Sequence, residues 1–146
     1  MKRFLIILAL MLIPQLALAQ SPTRLCALAG DGKSCVPSLF PITSSALAAN
    51  QVVSSLPSNL WSFEVSADST LSAAAWFIMI YDATAAPVDG AVTPVKCYAM
   101  ASGTTFYSAS FTIPIQFING ITIGVSTTGC FTKTASVHAF ISGDAR

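Results

Sequence analysis

Residues 60–83 read LWSFEVSADSTLSAAAWFIMIYDA, and two hydrophobic rhythms meet inside them. In the first half Trp61, Phe63, Val65 and Ala67 alternate with Ser62, Glu64 and Ser66. A period of two places successive side chains on opposite faces of a strand, so this half predicts a strand with one face in a core and one in water. The second half, 73–83, is apolar without alternation. A short buried helix would show the same run, but the Trp-Phe-Ile-x-Ile-Tyr content and the flanking Asp82 and Pro87 favour a central strand covered on both faces.

Toward the C-terminus the same grammar repeats. Asp89-Gly90 marks a tight turn, 95–100 predicts a strand bearing Cys97, and Ser102-Gly103 marks a second turn. Tyr107, Ala109, Phe111 and Ile113 alternate with Ser108, Ser110 and Thr112 until Pro114 ends or kinks the strand. Asn119-Gly120 is a hairpin dipeptide between two apolar runs, which predicts a hairpin with Ile121, Ile123 and Val125 facing inward. Gly129 marks another turn. The last strand, 136–142, points Val137, Ala139 and Ile141 inward and leaves His138 on the opposite face. Six or more short strands with turn signals between them predict an all-β fold, an antiparallel β-sandwich of jelly-roll-like form over residues 60–146.

Toward the N-terminus the pattern loosens. Residues 20–59 predict an irregular arm, bounded in its later part by Pro41 and Pro57, with one short edge strand near 51–54. Ahead of it, Lys2 and Arg3 precede an apolar run over 4–13 and the small-x-small end Ala17-Leu18-Ala19. That layout predicts a signal peptide, residues 1–19, cleaved after Ala19; the run is about half the roughly 20 residues a spanning helix needs. The expected product is secreted or periplasmic and meets a membrane only during export.

The chain carries seven basic and six acidic residues, and Lys2 and Arg3 fall in the expected leader. Five basic side chains then face six acidic ones, too little positive charge to hold a phosphate backbone, so no nucleic-acid partner is expected. A surface so poor in charge suits self-assembly, or a particle or cell-surface protein as partner.

Cys26, Cys35, Cys97 and Cys130 form an even set, which in an exported chain predicts disulfides. Three pairings are open. Cys26–Cys35 and Cys97–Cys130 are favoured, because the first closes a short loop over a Gly30–Lys33 turn and the second joins two predicted β segments. The spacings fit no zinc pattern, and no cofactor is expected. Asp82 and Asp89 bracket one loop and could hold calcium with backbone carbonyls, though such residues more commonly form turns.

The catalytic inventory is thin. The single histidine, His138, could be aligned with Asp144 or Asp82, but no G-x-S-x-G elbow accompanies it. Glu64 and Asp68 lie on one predicted strand about 13 Å apart, beyond the spacing of a glycosidase pair. The residue inventory therefore predicts a module without catalytic residues, not an enzyme.

The motifs DGAVTPVKCY (89–98), F-x-x-G-I (117–121) and GVSTTGCFTKT (124–134) carry a resemblance to small β-rich proteins encoded in tailed bacteriophages and prophages. The resemblance covers residues 81–144, a little under half of the chain. It implies a virion accessory role, such as capsid decoration or tail association, and no site residues. Two functional expectations follow: a structural or assembly protein, or a secreted module binding a glycan or cell-surface protein through strand aromatics such as Trp61, Trp76, Tyr98, Phe106 and Tyr107.

Overall fold

The computed structural model describes Cys26–Leu28, Cys35–Pro37 and residues 41–146. The expected signal peptide lies outside the described residues, as do the side chains of Cys26 and Cys35. Two compact units divide the chain, Met1–Ser38 and Leu39–Arg146. In the first, β1 (Cys26–Leu28) pairs antiparallel with β2 (Cys35–Pro37), setting Cys26 opposite Pro37 and Leu28 opposite Cys35.

The second unit is a sandwich of two four-stranded antiparallel sheets. One sheet contains β4 (Asn50–Ser54), β6 (Trp76–Asp82), β8 (Lys96–Met100) and β10 (Ile121–Ser126), in the order β4-β10-β6-β8. The other contains β3 (Ile42–Thr43), β5 (Ser58–Ala67), β9 (Phe106–Phe117) and β12 (Ala139–Ala145), in the order β3-β12-β5-β9. Among these eight strands the first pairs with the last, the second with the seventh, the third with the sixth and the fourth with the fifth. That is the wrapping of a jelly roll. A separate ribbon joins β7 (Gly90–Ala91) to β11 (Thr132–Lys133). The sandwich also takes in β3 and β4, which lie in the stretch expected to be an arm.

The core is built as the two rhythms require. Phe63 and Val65 of β5 face Trp76, Ile78 and Ile80 of β6, joined by Ile121, Ile123 and Val125 of β10 and by Ala139 and Ile141 of β12. Strand β6 sits between β10 and β8 and is covered on both faces, with Met79 and Tyr81 buried opposite the core. The Trp76 indole keeps its hydrogen bond by donating Nε1–H to the Thr104 carbonyl at 3.0 Å.

Several expectations are corrected. Trp61 does not enter the core: one extra residue in β5 between Leu60 and Ser62 shifts the phase, so Leu60 is buried and Trp61 is half-buried under Arg146, 5.3 Å from its ring. Ile113 is 84% exposed, because the β5–β9 register slips just before Pro114, from Ser62↔Ser110 to Leu60↔Ile115. The proline thus kinks a strand that continues to Phe117. Val137 is exposed and the last strand starts at Ala139. Asn119-Gly120 makes no hairpin, since β9 and β10 belong to different sheets and neither residue has positive φ. The dipeptide is instead a corner between sheets, held by a distant carboxylate described below.

Candidate functional site

Three of the aspartates that the sequence offers for chemistry, Asp68, Asp82 and Asp89, are engaged in holding loops. Asp82, at the end of β6, accepts the backbone N–H groups of Ile118, Asn119 and Gly120 at 3.1, 2.7 and 3.3 Å. These bonds, Asn119's first, hold its carboxyl below the usual range. They also fix the corner where the chain crosses from one sheet to the other. Gly120 is required there, because a Cβ would lie 2.7 Å from the Ser54 carbonyl oxygen.

Asp68 follows β5 and accepts N–H bonds from Thr70 and Leu71, both at 2.9 Å, which turn the chain into a single 3-10 turn at Leu71–Ala73. Its second oxygen lies 2.8 Å from His138 Nδ1. The Leu71 bond and then the histidine hold the Asp68 carboxyl low. His138 therefore meets Asp68, and neither Asp82 nor Asp144, the partners considered from sequence. Asp144 lies instead 3.5 Å from Arg146. Glu64 is exposed on the outer face of β5 and has no polar partner among the described residues.

Asp89 anchors the ribbon. It accepts Lys133 Nζ at 2.7 Å and the Ala135 N–H through both oxygens at 3.1 Å, and the Lys133 bond is the main cause of its lowered pKa. Lys133 is 4% exposed, a buried cation with a carboxylate partner. With Asp82 and Asp89 each committed to a separate loop, they do not converge as a calcium pair, and no metal-binding cluster occurs among the described residues.

The ribbon forms a third layer on the outer face of the first sheet. Cys97 registers with Met79 on that face and is bonded to Cys130, Cα–Cα 5.7 Å, which carries the β11 segment onto it. Beneath are Met79, Tyr81, Thr122 and Ser126, all buried. Ser126 Oγ accepts from Thr128 and Thr134, and the Tyr81 hydroxyl donates to Met79 Sδ at 2.6 Å. Burial, then the charge of Asp89, pushes the Tyr81 phenol up to about 12. This layer explains why β10 is buried on both faces where a single inward face was expected. Of the four candidate disulfide residues, Cys97 and Cys130 are joined. The Cys26–Cys35 pair falls outside the described side chains.

The remaining surface is nearly free of uncommitted charge. Among residues 41–146 only Glu64 and Lys96 are charged side chains without a hydrogen-bonded or ionic partner. Phe106, Ile113, Ile118, Phe131 and Phe140 are exposed. On the outer face of the second sheet, Phe140 and Phe106 flank Ser66 in one row, and Ser142, Glu64 and Ser108 form the next. A depression of about 180 Å³ opens there between Pro41, Ser62, Glu64, Ser142 and Asp144. Of the candidate platform aromatics, Trp76 is buried, and Tyr98 and Tyr107 pack on Phe63 with ring centroids 5.5 and 5.8 Å away. No described helix is long and apolar enough to cross a membrane. Comparison with protein-family models, with curated proteins and with solved structures finds no match to this chain.

Proposed function

We propose that the chain is an exported, non-catalytic β-sandwich module that works by surface contact, as a structural or assembly protein on a particle or cell surface. The observation that carries this reading is the commitment of nearly all its charge to internal loops. What remains outside is Ser, Thr and isolated large apolar side chains, a surface suited to close approach by another protein. The Cys97–Cys130 bond supports an oxidising compartment, and the resemblance to phage-encoded β-proteins favours a virion or other particle. The direct test is fractionation of the natural source into sedimenting particles and soluble fluid, followed by unreduced peptide mass spectrometry. The expected result is a chain starting at Gln20, with an intact Cys97–Cys130 peptide, in the particle or cell-surface fraction. Recovery solely as a free monomer in the fluid would overturn the assembly reading.

A second reading, a glycan-binding module, draws on the exposed Phe106 and Phe140 beside the Ser/Glu row. It predicts that Phe140→Ala abolishes retention on a glycan array; equal binding by both proteins, or by neither, removes it.

A further inference from the structure

The four outer strands of the sandwich are unequally protected. Exposed edges normally carry blocks against pairing: short length, a lysine, a proline or a bulge. Strand β3 has two residues, β4 has five, and β8 has five beginning with Lys96. Strand β9 has twelve, FYSASFTIPIQF, with no charge along its length. Its second half is blocked by the register slip and Pro114. Phe106–Ser110 carries no charge, proline or register slip, and among the described residues no strand pairs with its outer side.

The backbone direction of that half is fixed. Ala67 N–H donates to the Thr105 carbonyl at 2.8 Å, so Thr105 points its polar groups at β5. Alternation along an antiparallel ladder then turns Tyr107 and Ala109 toward β5, and Phe106, Ser108 and Ser110 outward. Three residues thus present free N–H and C=O groups in a row, with small hydroxyl side chains at two of them.

We infer that this edge pairs antiparallel with the same edge of a second copy, about a two-fold axis at Ser108. The inference deepens the assembly reading and rests on it. Ser108 would face its own counterpart, and Phe106 would face the partner's Ser110, giving about six backbone hydrogen bonds and joining the two second sheets into one. An edge without charge meets itself without repulsion, which an edge carrying charge of one sign would not. Phe106, 53% exposed, lies at the end of the seam and loses water contact when it forms.

The test uses the mature chain, with cysteines placed at the exposed Ser108 and the half-buried Ser142. Ser108→Cys places two thiols on opposed residues about 5.5 Å apart at Cα, within disulfide reach, and mild oxidation should yield a covalent dimer. Ser142→Cys, two strands inward on the same face, should not. Ser108→Glu sets two carboxylates against each other across the axis and should raise the dimer dissociation constant tenfold or more, with an unchanged circular dichroism spectrum. Should that variant fold poorly, Ser110→Glu reads the same seam. Oligomers that ignore the glutamates and give no Ser108→Cys dimer overturn the β9 edge while leaving the assembly reading standing. A wild-type chain that stays monomeric at every concentration overturns the β9 edge; the assembly reading falls with it only if the chain is also absent from the particle and cell-surface fractions.

Discussion

Asp82 shows how a single side chain decides a connection. Its three N–H bonds turn residues 118–120 from one sheet to the other, and Gly120 fits only because it lacks a Cβ. Gly120→Ala should therefore destabilise by about 1–3 kcal/mol, the range for overpacking, measured by urea denaturation. The lowered carboxyls of Asp68, Asp82 and Asp89 give the native state fewer bound protons than the unfolded chain, whose aspartates titrate near about 3.9. The stability they contribute is present above that value and lost as pH falls toward the folded pKa values. Asp82→Asn should flatten the acid limb of a stability–pH curve; an unchanged limb would show that its N–H bonds do not tighten on ionisation. At the alkaline end the sign reverses. The unfolded phenol ionises near about 10 and Tyr81 near about 12, so stability falls across that window, and Tyr81→Phe should remove part of the fall.

At the scale of elements, the ribbon β7–β11 is a small layer held by two devices. Cys97–Cys130 closes a loop of sequence separation 33, for which chain entropy gives about 3–4 kcal/mol. Cys97→Ala with Cys130→Ala should lower stability by roughly that amount, and amide exchange should rise first in residues 89–92 and 130–135. The second device is the Lys133–Asp89 pair. Asp89→Ala strands a buried ammonium, whereas Lys133→Met replaces it with an apolar chain of similar size. The urea midpoint should therefore fall further for Asp89→Ala, and the opposite order would mean that Lys133 reaches water. These elements also show what could be read from the chain alone. The alternation at Phe63 and Val65 and the continuous run through Trp76–Tyr81 were legible, because burial on one or both faces writes itself into local sequence. The Asn119-Gly120 corner was not, since its conformation is set by Asp82, a residue 37 positions away. Trp61 was misplaced for a like reason: a one-residue bulge inverts the inside and outside of everything beyond it. The pairing of His138 with Asp68, 70 residues apart, and the burial of Lys133 leave no local signature at all.

For the whole molecule, the same distribution of residues that stabilises the sandwich shapes its exterior. Charges that would keep copies apart are bound within loops, and the longest edge strand carries none. Stability and association are therefore linked: the acid that protonates the loop aspartates should loosen corners and ribbon before it alters β9. On the proposed reading this chain acts by associating with a second copy along β9. Sedimentation velocity of the mature, oxidised protein over a wide concentration range tests it most directly. The expected result is a concentration-dependent shift from monomer to dimer that Ser108→Glu moves to at least tenfold higher concentration; a single monomeric boundary at all concentrations would contradict it.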